Sequence, residues 1–239
     1  MTIATTELPA NYRALLVFAK NPAPGAVKTR LSPPLTHLEA AELYACMLHD
    51  TLTMAQSLTG ITAFIFYLDE GDAAAYFAAA APQLAAAPQT GPDLGERMKR
   101  AFTEIFGRGF REIAIIGSDS PDLKAEYVYE AFNQLEYEHT DVVFGPSADG
   151  GYYLLALKRV WPELFSDIPW SSGSVLDISA ARAKDAHLGV ALLPEWYDLD
   201  TPDDLARPAL LDEKSLAVRT REFLARFALS PDSPAPADS

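Results

Sequence analysis

Short apolar runs alternate with longer stretches of helical periodicity along this chain. Residues 14–19 (ALLVFA) are apolar at successive positions, the pattern of a strand buried on both faces. Residues 61–68 (ITAFIFYL) are β-branched and aromatic and read as a second strand. Further strands are expected at 84–87, 113–117 (IAIIG), 142–144, 152–157 (YYLLAL) and 190–193. Between them, residues 36–58 place Leu38, Ala41, Ala45, Leu48 and Leu52 on one helical face, with Thr36 as N-cap. An alanine-rich helix at 72–81 stops at Pro82. Helices are also expected from a polar loop through Phe106, at 124–137, from the Ser171–Ser174 stretch to about His187, and at 216–229. Thr201-Pro202-Asp203-Asp204 carries a helix-start signature: Thr at the N-cap, Pro at the first position, acids in the first turn. The glycine-rich link 145–151 between two strands predicts that they pair antiparallel. Strands and helices in alternation with one hairpin predict a three-layer α/β fold around a mixed sheet.

Composition narrows the function classes. The chain has 239 residues, 49% of them hydrophobic, enough for one globular domain with a sizeable core, expected over residues 13–229. Residues 1–12 and the proline- and serine-rich 230–239 are expected to be flexible. A net charge of −14 argues against a nucleic-acid or anionic-membrane partner. The single cysteine, Cys46, excludes an internal disulfide and sits in an apolar helical pattern, which reads as packing. No apolar run approaches the ~20 residues of a membrane span, and the N-terminus lacks a signal-peptide pattern, so a cytoplasmic protein is expected.

Against the acidic background, one basic loop stands out. The first expected strand breaks into Lys20-Asn21-Pro22-Ala23-Pro24-Gly25, which continues neither strand nor helix, and Lys28, Thr29 and Arg30 follow. A strand ending in a stiff loop with cations, ahead of a helix, is where open α/β sheets bind ligands. Backbone N–H groups with Lys and Arg suit a phosphate, although this is neither a Walker loop nor GxGxxG. Three acidic sites also lie just beyond expected strands: Asp119 with Asp122, Asp149, and Asp198 with Asp200. If those strands run the same way, the carboxylates converge on one rim beside the loop, and hard oxygen ligands near a phosphate suit Mg²⁺ or Mn²⁺. Read one by one, Asp122 is a helix cap, Asp198 a turn residue and Asp149-Gly150-Gly151 a bare hairpin turn. The four histidines show no zinc spacing, and no Ser-His-acid arrangement is present.

Six segments in order, FAKNPAPGAVKTRL, GPDLGERM, IGSDSPDL, GPSADGGYYLLAL, PWSSGSVL and DLDTPDDL, resemble a bacterial family of glycosyltransferase-A-like proteins named for their association with radical-SAM and selenium-domain proteins. The family is similar to phospholactate guanylyltransferases and, more distantly, to molybdenum-cofactor guanylyltransferases. The resemblance spans residues 13–210 and implies a Rossmann-like nucleotide-diphospho-sugar transferase (GT-A) fold. It implies a nucleotide site built from Ala19, Lys20, Pro24, Gly25, Lys28 and Arg30, with Gly91, Asp93, Leu94 and Gly95 near base and ribose and Ser118 beside them. Asp119 matches the metal-binding acid after the central strand. Asp200 resembles the second metal-binding acid of related cytidylyltransferases, with Asp149 nearby. Asp149, Gly150, Gly151, Trp170, Ser171 and Ser172 are the expected acceptor side. The pattern departs from a true DxD because Asp119 and Asp122 are three apart, which leaves Asp122 as a capping residue. Lys28, Arg30 and Asp119 are then the catalytic candidates.

Three functions remain open at this level: a Mg²⁺- or Mn²⁺-dependent nucleotidyltransferase acting on a nucleoside triphosphate and a small acceptor, a glycosyltransferase using a nucleotide-sugar, and a nucleotide-binding regulatory module. Two cations in one loop favour the first, because they suit the phosphates lost as pyrophosphate. The base, the acceptor and the oligomeric state are not legible.

Overall fold

A computed structural model of the protein describes residues 12–170 and 172–228. Ser171 and the expected flexible ends at 1–11 and 230–239 lie outside the described residues. Tyr12, also expected to be loose, has a carbonyl that accepts the Arg111 and Glu112 N–H groups at 2.8 and 3.2 Å.

All seven expected strands form and join in one sheet: β1 Arg13–Ala19, β2 Thr62–Tyr67, β3 Ala85–Pro88, β4 Glu112–Ile116, β5 Val142–Pro146, β6 Tyr152–Leu157 and β7 Val190–Leu192, in the order β3-β2-β1-β4-β6-β5-β7. Every pairing is parallel except those of β6, which runs antiparallel to both β4 and β5. The hairpin expected from the glycine-rich link is therefore β5–β6. With β6 alone reversed, β1, β4, β5 and β7 all end on one rim, and the loops that follow them gather there.

The helices are α1 His37–Ser57, α2 Ala73–Ala80, α3 Leu94–Gly107, α4 Ala125–Glu136, α5 Val175–Asp185, α6 Pro208–Leu211 and α7 Val218–Ala228. Alternate β1 residues feed two cores. Leu15, Val17 and Ala19 pack with residues of α1, α2 and α4 on one face, while Ala14, Leu16 and Phe18 pack with residues of α3 and α5 on the other. That two-sided burial is why the strand reads as an unbroken apolar run. Thr36 caps α1 through a full capping box with Glu39, as expected. The expected α1 face is partly wrong: Leu38 is 58% exposed, and the buried stripe runs through Ala40, Leu43, Met47 and Ala55 as well as Ala41, Leu48 and Leu52. α1 touches the sheet on one side and α7 on the other, so a wider stripe is apolar than a single-face reading allows. The helix expected at Thr201 is a 3₁₀ turn, Pro202–Ala206, whose capping box pairs Thr201 with Asp204.

A third apolar cluster lies behind the site. Leu31, Leu43, Met47, Leu199, Leu210, Phe223 and Leu224 pack together between α1, α6 and α7. Leu31 follows the basic loop and Leu199 precedes Asp200, so this cluster seats two of the functional segments from the rear. α7 is fastened there by Asp50 of α1, which is buried and accepts from the Arg219 N–H, the Thr220 N–H and the Thr220 hydroxyl at 3.1, 2.8 and 2.8 Å.

Candidate active site

A cleft of about 450 Å³ opens at the carboxyl ends of β1 and β4. Its lining includes Ala19 at the end of β1, Lys20, Val27 and Lys28 from the first loop, Leu94, Arg97 and Met98 from the first turns of α3, Ser118 and Asp119 after β4, and Asp200. This is the position at which open α/β sheets bind ligands.

The first loop is shaped by its prolines and by two left-handed residues. Gly25 has φ +78° and Lys28 has φ +49°. At Lys28 the chain turns into a short 3₁₀ segment, Thr29–Leu31, and the side chain is directed inward; it is only 3% exposed. Its Nζ donates to Asp119 Oδ1 at 2.5 Å and to Asp200 Oδ1 at 2.9 Å. Arg30 remains outside, 70% exposed, with Nη1 3.3 Å from Asp200 Oδ2. Pro24 and Gly25 form the exposed bend of the loop and do not line the cleft. Lys28, expected to face nucleotide phosphates, is here a buried ammonium held between two half-exposed carboxylates.

The electrostatics follow from this arrangement. Burial alone would push the Lys28 ammonium down, but Asp119 and Asp200 outweigh it and raise its pKa above the ordinary lysine value. Burial would raise Asp119, yet Lys28, with a further contribution from Lys20, holds it below the usual carboxylate range. Asp198 behaves oppositely. Burial and then the Asp119 charge push it up to about 6, against hydrogen bonds donated by Ser120 Oγ (2.8 Å) and Ser147 Oγ (2.9 Å).

The loops are tied together beneath the cleft by Tyr44 of α1, a buried residue that the sequence reading passed over as helix. Its phenol oxygen accepts the Lys20 N–H at 2.9 Å and shares a 2.7 Å hydrogen bond with Ser118 Oγ. Burial first, then Asp119, pushes its pKa up to about 12, so it stays a neutral hydrogen-bonding group. Arg97 was also missed. It lines the cleft, and among the described residues it pairs with no carboxylate; its Nε donates to the Asp93 carbonyl at 3.2 Å. The signal for Arg97 was its place in the first turn of a helix that opens on the rim.

Several expected roles change. Asp93 is the N-cap of α3, accepting the Glu96 N–H at 2.8 Å, and of the segment 91–95 only Leu94 lines the cleft. Gly95 serves packing: a Cβ there would lie 2.6 Å from the Trp170 ring. Ser118 is buried and committed to Tyr44. Asp122 is no helix cap, since Lys124 holds that position; its carboxylate accepts from Tyr197 Oη at 2.5 Å and Trp196 Nε1 at 3.3 Å.

Asp149 does not join the acid pair. Its Oδ1 accepts the Gly151 N–H at 2.9 Å, closing the hairpin turn, and among the described residues no group of three or more acidic, His or Cys side chains is placed to hold a metal. Gly150, at φ +87°, packs so closely on the Gly173 carbonyl that a Cβ would lie 2.1 Å from its oxygen. Ser172 Oγ is 3.0 Å from Ser174 Oγ. The expected acceptor residues thus adjoin through packing: the 149–151 turn on Gly173, and Trp170 on the start of α3. Cys46 is a half-buried free thiol on α1 at the edge of the rear cluster.

The three-layer mixed sheet with this rim is the fold of GT-A and nucleotidyltransferase structures. The chain belongs to the family described as "Uncharacterized protein conserved in bacteria (DUF2064)", whose pattern matches residues 51–172. It is similar to a crystal structure from Desulfovibrio desulfuricans described as a putative nucleotide-diphospho-sugar transferase, at 34% identity over 90% of this chain and 97% of the other, with a TM-score of 0.80. It shares its fold with CMP:2-keto-3-deoxy-manno-octonic acid synthetase complexed with CTP, at 13% identity over 88% of this chain and 99% of the other, TM-score 0.53. It also shares it with Rv0371C of Mycobacterium tuberculosis in complex with manganese, at 17% identity over 82% of this chain and 96% of the other, TM-score 0.50. No curated protein matches the chain. Among the described residues no helix is long and apolar enough to cross a membrane.

Proposed function

We propose that the chain is a nucleotidyltransferase acting on a nucleoside triphosphate and a small phosphorylated or hydroxylated acceptor. An acceptor oxygen attacks the α-phosphorus, the bond to the bridging oxygen breaks, and pyrophosphate leaves. The observation that carries the reading is the lining of one cleft: Lys20, Lys28 and Arg97 converge there with two carboxylates, in a chain of net charge −14. Cations gathered against that background suit a phosphate chain, whose transfer depends on positioning and charge stabilisation more than on proton transfer by the protein.

Asp119 and Asp200 suit a divalent cation. Their carboxylates already face one positive charge, the Lys28 ammonium, from two sides, and hard oxygen donors are what Mg²⁺ or Mn²⁺ takes. A bound metal would supply charge against the leaving phosphate oxygens. The residues of the chain itself do the remainder. Lys28 and Arg97 hold phosphate oxygens, and Tyr44 keeps the two loops in register.

Glycosyl transfer is the second reading, favoured by the likeness to the Desulfovibrio protein. The products separate the two. Incubation with each nucleoside triphosphate, Mg²⁺ or Mn²⁺ and a pool of small acceptors is expected to release pyrophosphate. Release of a nucleoside diphosphate from nucleotide-sugars, with no pyrophosphate from any triphosphate, would overturn the proposal in favour of glycosyl transfer. Nucleotide binding without either product would point to a regulatory module.

A further inference from the structure

We propose that Lys28 and a divalent cation compete for the Asp119 and Asp200 carboxylates, so that the protein takes up metal only together with a phosphate-chain ligand that receives the displaced ammonium. The inference rests on the reading above, with the acid pair as metal site and the first loop as phosphate site.

Three of the four carboxylate oxygens are engaged by cations of one loop. Lys28 Nζ takes Asp119 Oδ1 and Asp200 Oδ1, and Arg30 Nη1 faces Asp200 Oδ2. Two negative charges are thereby matched by two positive ones. A metal ion on the same oxygens would lie within a few ångströms of the ammonium, where like charges in a partly dry site repel strongly. The ammonium must therefore leave when metal arrives. It cannot remain buried without an anion, because an unpaired buried charge is far more costly than a paired one. The backbone at Lys28 is set by its left-handed turn, so the movement falls to the side chain. The cleft that Lys28 itself lines is adjacent. A di- or triphosphate there offers the ammonium new oxygen partners.

Metal and phosphate ligand are then coupled in both directions, each improving the affinity for the other by the same factor. In the absence of a phosphate ligand the acid pair is held shut by the protein's own lysine. Arg30 is drawn into the same exchange, since its only carboxylate partner among the described residues is Asp200.

The test uses Mn²⁺ alone, with the free ion followed by electron paramagnetic resonance. Lys28→Met, which keeps the length and loses the charge, is expected to bind Mn²⁺ about tenfold or more tighter than wild type. Adding Asp119→Asn to Lys28→Met should abolish the gained binding. If Lys28→Met binds Mn²⁺ no tighter than wild type, while Asp119→Asn removes what binding there is, competition is refuted and the metal site stands. If Asp119→Asn leaves Mn²⁺ binding unchanged in both backgrounds, the acid pair is not the metal site and the functional reading fails with the inference. A second measurement needs no variant. In equilibrium dialysis, wild-type protein should bind inorganic triphosphate more tightly with Mn²⁺ present than without it, and should retain little Mn²⁺ when triphosphate is absent. Mn²⁺ retained as tightly without triphosphate as with it would overturn the proposal.

Discussion

Tyr44→Phe isolates the tie between the two loops of the cleft. The substitution removes one oxygen and adds no bulk, so the buried ring keeps its packing. What is lost is the acceptor for the Lys20 N–H and the partner of Ser118 Oγ, at 2.9 and 2.7 Å. Each such hydrogen bond contributes about 1 kcal/mol net, and a stranded buried group costs about 1–3 kcal/mol. Ser118 is 2% exposed and has little water to turn to. The Lys20 amide lies nearer the surface and recovers part of its loss. The expected destabilisation is therefore about 2 kcal/mol, or a fall in melting temperature of about 4–8 °C for a chain of this size. Urea denaturation should show a lower midpoint with unchanged slope. Hydrogen exchange at the Lys20 amide should quicken. Ser118→Ala alone should cost about 1 kcal/mol, and the double variant should fall short of the sum, because both substitutions break one shared bond. A Tyr44→Phe protein within about 0.5 kcal/mol of wild type, with the Lys20 amide still protected, would refute the reasoning.

Asp50→Ala removes the acceptor for three donors at the start of α7 and should cost about 3 kcal/mol by urea denaturation; a change under 1 kcal/mol would mean that the helix start rests on the apolar cluster instead. Asp204 is held at about 2: burial pushes it up, but bonds from the Thr201 hydroxyl and from the Asp200 and Thr201 N–H groups, together with Arg207, outweigh this. Because the folded value lies below the ordinary 3.8, the stabilisation is fully present above about pH 4. It is lost as pH falls towards 2, up to about 2 kcal/mol. Asp204→Asn should flatten the stability profile in that window, and an unaltered profile would rule out Asp204 as its source.

Local chemistry settled the elements. The inner strands are apolar or β-branched runs, because burial on both faces leaves few polar positions to confuse the period, whereas the edge strand β7 leaves Val190 and Leu192 exposed. The Thr36 capping box and the β5–β6 hairpin were legible because caps and tight links depend on neighbours in sequence. The convergence of the strand ends was legible only conditionally, and reversing β6 alone is what satisfies the condition. Partners far apart in the chain were not legible. Lys28 and Asp200 are 172 residues apart, and no local pattern indicates that a loop lysine will turn inward onto two acids. Asp122 read as a cap because it precedes a helix, whereas Tyr197 and Trp196 claim it from across the fold. Asp149 reads both as a strand-end acid and as a hairpin-turn residue, and the Gly151 N–H bond shows the second, which depends on neighbours in sequence. A side chain's period and its neighbours determine the element it joins. Which charge it meets is decided when the sheet closes and the cost of leaving a buried charge unpaired selects among distant partners.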